Sequence, residues 1–149
     1  MRVVIRNALL PAPFTPAGLD PNTPASVWLL DGKIEGYNLN DTPDLDLDAR
    51  GGLLVPAFVD LHAHLRDPGQ EVKETLATGL AAAAAGGYGT VVSMPNTTPP
   101  VDDPSQVLDL IERAEALDGP RLLPSAAVTR GQAGQALTDM AALKAAGAR

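Results

Sequence analysis

The sequence predicts an α/β chain: a small β-sheet subdomain over residues 1–56, then the first three βα units of an incomplete (β/α)8 TIM barrel over 57–149. Three observations predict it. Residues 1–56 hold strand-length apolar runs separated by turn residues, with no helical periodicity. From Ala57 the pattern becomes strand, loop, helix, three times over, which builds a parallel sheet from βαβ units. A closed barrel needs about 250 residues, and an open three-stranded parallel sheet leaves a strand edge and apolar surface uncovered. The chain is therefore expected to be the first part of a larger protein.

Arg2–Asn7 carries Val3, Val4 and Ile5 and reads as the first strand. Pro11–Pro24 holds five prolines and reads as an irregular loop. Ser26–Leu30 and Lys33–Leu39 flank Asp31-Gly32, a strong local hairpin signal, and Leu53–Val55 is a fourth strand. In the second region Phe58–Leu65 is a strand, and Glu74–Ala85 is a helix stopped by Gly86-Gly87. Tyr88–Met94 is the next strand. Asp103 is placed to cap a second helix, with Pro104 in its first turn and Gln106 as capping-box partner. Its apolar face is Val107, Leu108, Ile111 and Ala114. Leu122–Val128 is the third strand, and a third helix from about Thr138 uses Met140 and Leu143 and stops at Gly147. Ala81–Ala85 is expected to pack closely on the sheet, and Trp28 to sit in the core of the small subdomain.

Charge and composition exclude several functions. With 11 Lys+Arg against 18 Asp+Glu the net charge is −7, and no basic cluster occurs. That argues against nucleic acid, because phosphate binding concentrates Lys and Arg. The longest unbroken aliphatic run, Leu80 to Ala85, is far too short to span a bilayer, so no membrane partner is expected. The absence of cysteine removes disulfides, thiolate nucleophiles and Cys-ligated metals, and suits a reduced cytosol. Arg6, Asn7, Pro11 and Pro13 break the apolar run a signal peptide requires, so a cytoplasmic location is expected.

The chemistry concentrates in Pro56-Ala57-Phe58-Val59-Asp60-Leu61-His62-Ala63-His64-Leu65-Arg66. Side chains alternate along a strand, so Val59, Leu61, Ala63 and Leu65 form an apolar side expected to face outer helices. Asp60, His62, His64 and Arg66 share the other side. An edge strand with a solvated polar face would alternate in the same way, and a bare His-x-His is a weak motif. The company strengthens it. The only two histidines of the chain stand two apart on one face, and Asp60 is placed to support an imidazole from behind. Near the carboxyl end of a barrel strand, polar residues read as catalytic. Two imidazoles without cysteine suit zinc or a similar divalent ion. Catalytic zinc takes three protein ligands plus water, so the missing ligands are expected beyond Arg149.

The run Asp60-Leu61-His62-Ala63-His64-Leu65-Arg66-Asp67-Pro68-Gly69, followed by Lys73-Glu74-Thr75, resembles the signature of dihydroorotases in the amidohydrolase superfamily. Met94-Pro95-Asn96-Thr97, with Pro99-Pro100 after it, is a second match, and the resemblance extends over nearly the whole chain. It implies a zinc-dependent cyclic-amide hydrolase of pyrimidine biosynthesis that interconverts N-carbamoyl-L-aspartate and L-dihydroorotate. It further implies one or two Zn2+ ions held by His62 and His64 and completed by ligands outside this chain. His64, Arg66 and Asn96 would contact the substrate, the last two at its carboxylate; a guanidinium fork and an amide N–H both suit that group. The catalytic acid/base would be an aspartate from a later strand, so the 149-residue chain alone is expected to be inactive. The implied partners are the small-molecule substrate and, among proteins, a second copy or a transcarbamoylase.

Three departures stand out. Pro56-Ala57 replaces Pro-Gly, Arg66-Asp67-Pro68 replaces Arg-Glu-Pro, and Gly89 replaces a frequent Thr and is expected to loosen the start of its strand. Hydantoinases and allantoinases share the His-x-His strand, although the Met-Pro-Asn-Thr turn looks most like dihydroorotase. A catalytically inactive dihydroorotase-like scaffold subunit is the non-enzymatic alternative. Without the resemblance, Asn96 reads as a turn residue, and Lys73 and Glu74 as solvated helix-start contacts.

Overall fold

β1 (Arg2–Ala8) pairs antiparallel with β2 (Ala25–Leu30), β2 antiparallel with β3 (Lys33–Tyr37), and β1 parallel with β4 (Leu45–Asp48), giving the order β3-β2-β1-β4. In the computed structural model, which describes residues 1–149, these strands belong to a unit spanning Met1–Pro56; a second unit spans Ala57–Arg149. Val4 and Trp28 are cross-strand partners and both are buried. The β2–β3 hairpin turns at Asp31-Gly32 with φ of 48° and 78°, the positive pair that a two-residue primed turn demands. The fourth strand is not Leu53–Val55. Only Leu53 of that stretch bridges, to Leu9, and the strand lies at Leu45–Asp48. Leu-Asp-Leu-Asp has weak strand propensity, and β1 holds it from the side. Arg6 meets Asp46 at 2.9 Å, and Asn7 Nδ2 donates to Asp48 at 2.8 Å.

In the second unit β5 (Phe58–Ala63), β6 (Tyr88–Ser93) and β7 (Arg121–Pro124) form a parallel sheet in that order. α1 (Leu76–Ala85) and α2 (Pro104–Glu115) are the crossovers, and α3 (Met140–Ala145) follows β7. Thr75 caps α1 in a capping box with Thr78, so this helix starts two residues after Glu74. Lys73 and Glu74 stay in the preceding loop, bonded to Gln70 and Thr78. Asp103 caps α2 with Gln106 as its reciprocal partner, as the local sequence spells. β7 ends at Pro124 rather than Val128, because proline cannot donate to the ladder.

Several expected faces are corrected. Val59 and Leu61 are 54% and 72% exposed, because α1 packs over β6 and leaves edge strand β5 uncovered. Only Ala63 and Leu65, farther along, reach the core that Leu76, Leu80 and Val91 form. On α2 Leu110 is buried with Val107 and Ala114 while Leu108 is exposed, since 107, 110 and 114 share one helical stripe. Leu76, Gly79 and Leu80 are the buried face of α1, and Ala81, Ala82, Ala84 and Ala85 are exposed. Met140 is half-exposed although Leu143 is buried. Gly89 answers a packing need. A Cβ there would stand 2.7 Å from the Ala57 Cβ, so the methyl present at 57 takes the space given up at 89.

Candidate active site

The two histidines lie at the carboxyl end of β5, where the strand becomes irregular. Asp60 Oδ1 accepts the His62 backbone N–H at 2.9 Å, and the β5–β6 register shifts between Asp60 and Ala63. Asp60 thus supports the His62 backbone through Oδ1. Beyond Ala63 the chain leaves the ladder, while Met94 N–H still donates to Ala63 O at 2.8 Å. That bond brings the loop after β6 alongside the loop after β5.

The imidazoles converge. His62 Nε2 and His64 Nε2 are 3.3 Å apart, with ring planes at 69°. His64 Nδ1 lies 2.8 Å from Asn96 Oδ1. With the amide oxygen accepting, Nδ1 carries the proton and Nε2 presents its lone pair. The buttress of an imidazole is thus Asn96, from the other loop, whose Nδ2 stays available as a donor. Both histidines and Asn96 are exposed, as a site open to a ligand requires.

Arg66 follows at φ 63°, a left-handed backbone that costs a non-glycine residue about 1–2 kcal/mol. Its guanidinium is half-buried and pairs with no carboxylate. The two loops are latched backbone to backbone. Thr98 N–H donates to Pro68 O at 3.0 Å, and Gly69, at φ 86°, lies so close that a Cβ there would stand 1.8 Å from Thr98 O. Beneath Arg66, Asp67 is buried at 5% exposure. It accepts Arg113 Nη2 at 2.8 and 2.7 Å and the Leu76 N–H at 3.1 Å. The hydrogen bond to Asp67 pushes the Arg113 pKa up. A cavity of about 340 Å³ lies beside Asp67 and Arg113 on the helix side.

The donor set fits one metal ion in part. Two nitrogens each about 2.0–2.1 Å from a tetrahedral ion stand about 3.3–3.4 Å apart, and the observed 3.3 Å matches that spacing. The chain has no cluster of three or more His, Cys, Asp or Glu side chains able to hold an ion. Two imidazole nitrogens alone stand at that spacing. Of the residues the sequence singles out, the structure brings His62, His64 and Asn96 into contact, and Arg66 stands in the loop after β5 without a contact to them. Sequence reasoning missed the latch at Gly69–Thr98 and the part of Arg113, 46 residues from Asp67. The positive charge in the last turn of α2 was the only local signal, and that reads as an ordinary response to the helix dipole.

The model of the family described as Dihydro-orotase-like matches residues 51–149. Over 123 residues the chain is 56% identical to the dihydroorotase of Deinococcus radiodurans, covering 83% of this chain and 29% of that protein. It is 49% identical over 125 residues to the dihydroorotase of Thermus aquaticus, covering 84% and 29%. Identity to that of Caldanaerobacter subterraneus is 41% over 150 residues, covering 99% and 33%. The chain thus spans 29–33% of the length of these curated relatives. Among solved structures, the L-hydantoinase of Arthrobacter aurescens superposes with a TM-score of 0.67 at 24% identity, over 85% of this chain and 28% of that one. An amidohydrolase superposes at 0.57 with 19% identity, over 87% and 32%. These two likenesses concern the mixed α/β fold alone. No helix is long and apolar enough to cross a membrane.

Proposed function

The chain belongs to the dihydroorotase-like family, and we propose that it forms the histidine- and carboxylate-binding part of a cyclic-amide hydrolase interconverting N-carbamoyl-L-aspartate and L-dihydroorotate. In this reading the Ala57–Arg149 unit is the first three βα units of a (β/α)8 barrel, and Met1–Pro56 is a subdomain preceding it. The observation that carries the proposal is the 3.3 Å approach of His62 Nε2 to His64 Nε2, with the His64 tautomer held by Asn96 beside an unpaired Arg66. His62 and His64 would hold zinc together with ligands outside this chain. A zinc ion bound there supplies Lewis acidity toward a carbonyl and a hydroxide nucleophile at neutral pH.

The work of the chain's own residues follows from their chemistry. Asn96 keeps the His64 proton on Nδ1, so the ring offers Nε2 without a tautomer change. Arg66 presents a planar set of donors matched to a carboxylate, and Asn96 Nδ2 adds a further N–H. A ring gripped at its carboxylate from these two loops is turned toward the imidazoles, and orientation of this kind is worth several kcal/mol, up to about 7.

The test has two arms. Elemental analysis of the 149-residue chain is expected to find weak or substoichiometric zinc; tight one-to-one zinc would show that the two-donor count is wrong. In a polypeptide of full dihydroorotase length, L-dihydroorotate is expected to be hydrolysed and the activity lost on His62→Ala. Turnover of hydantoin or allantoin without dihydroorotate would overturn the assignment.

A further inference from the structure

We propose that Asp67 and Arg113 are positioning residues that set substrate affinity through Arg66, so that a side chain of the outer helix α2 governs carboxylate recognition at the strand ends. The inference rests on the proposed role of Arg66. Its basis is the way both chain neighbours of Arg66 are held. Leu65 is 7% exposed, and a Cβ on Gly79 of α1 would stand 2.6 Å from its Cδ2, so Leu65 is pressed against that helix. Asp67 is gripped on the same side by the first N–H of α1 and by Arg113 of α2. Arg66, between two residues anchored toward the helices, is the one side chain of the three left without a partner, and its backbone stands at φ 63° between those anchors. The pair is buried on its Asp67 side alone, the Arg113 side chain being 41% exposed. A carboxylate taking three hydrogen bonds from two helices fixes the direction of the peptide next to it. The Asp67–Arg113 contact therefore orients a guanidinium that itself touches neither residue.

The experiment uses the full-length protein and a mutant cycle in steady-state kinetics with L-dihydroorotate. Asp67→Asn keeps the side-chain shape and the acceptor for Leu76 N–H, and Arg113→Lys keeps the charge while losing the guanidinium. Each is expected to raise KM by about tenfold or more with kcat changed much less, since displacement of a binding group by about 1 Å can cost a hundredfold. In an Arg66→Met background the same substitutions are expected to leave KM where Arg66→Met puts it, a dependence that a purely structural role does not produce. Circular dichroism and thermal melts identify the folded variants. If Arg113→Lys fails to fold, the Asp67→Asn cycle decides alone. An unchanged KM for folded Asp67→Asn, or equal KM effects with and without Arg66, overturns the proposal while leaving the role of Arg66 intact. An unchanged KM for Arg66→Met overturns that role and the proposal with it.

Discussion

Both units carry arginines, and they use them in opposite ways. In Met1–Pro56, Arg2 of β1 reaches past β2 to Glu35 of β3 and to Asp41 in the loop before β4, and Arg6 reaches Asp46 of the neighbouring β4, all partly exposed pairs. In Ala57–Arg149, Arg113 reaches down to a buried carboxylate, and Arg66 is kept out of any pair. Left-handed residues divide in the same way. Asp31 and Asn38 of the first unit end or turn strands, whereas Arg66 and Gly69 of the second sit three apart in one loop beside the histidines. The first unit spends its irregularities on closing turns. In the second, Arg66 and Gly69 stand just past the end of β5, the place at which a parallel sheet presents side chains to a ligand, while its other left-handed residues, such as Gly87 and Gly147, lie elsewhere.

The sharpest way to break this contrast is a pair of glycines with nearly the same φ. Gly18 has φ 89° with open space around it, and Gly69 has φ 86° with Thr98 O in the way. Gly69→Ala is expected to cost more than about 3 kcal/mol, because backbone atoms cannot yield as a side chain can. Gly18→Ala should cost about 1–2 kcal/mol, the backbone penalty alone. Urea denaturation of both variants measures the difference, and equal costs would show that the latch is not tight.

A second test isolates packing at the start of the second unit. Gly89→Ala is expected to destabilise by about 1–3 kcal/mol through overpacking. Ala57→Gly in the same chain should recover part of that loss, giving a coupling of about 0.5–3 kcal/mol in a double-mutant cycle. Strict additivity would mean that the two positions do not share one space.

Acid should separate the units more gently. Asp20, Asp31 and Asp48 of the first unit are held below the ordinary carboxylate range, by the Asn22 N–H, the terminal ammonium and the Arg50 N–H respectively. In the second unit the Ser105 hydroxyl does the same for Asp103. A carboxyl lowered in the fold contributes fully above its unfolded value of about 3.9 and loses that contribution as pH falls through its lower folded value. Three of these four lie in the first unit, so amide exchange below about pH 4 should rise in Met1–Pro56 before Ala57–Arg149. A simultaneous rise would show the two to unfold together. The smallest effect belongs to Arg6→Ala, which removes a half-exposed pair and should shift stability by no more than about 0.5 kcal/mol; a larger change in the melt would mean that β4 depends on Asp46.

Local sequence determined the elements whose cause is local. Asp31-Gly32 turns the hairpin, Asp103 with Gln106 caps α2, and the two-residue spacing of His62 and His64 places both on one side of β5, because each depends only on chain geometry over a few residues. Tertiary structure decided the rest. β4 is a strand because the free edge of β1 pairs with it in parallel, Val3–Arg6 against Leu45–Asp48, against the propensity of Leu-Asp-Leu-Asp. Asn96 meets the His64 imidazole because parallel pairing of β5 with β6 brings the second loop to the first, while Asp60 Oδ1 accepts an N–H of its own strand. The partnership of Asp67 with Arg113 has no signature in either neighbourhood. A buried charge finds its counter-charge through packing, and packing joins residues that no periodicity relates.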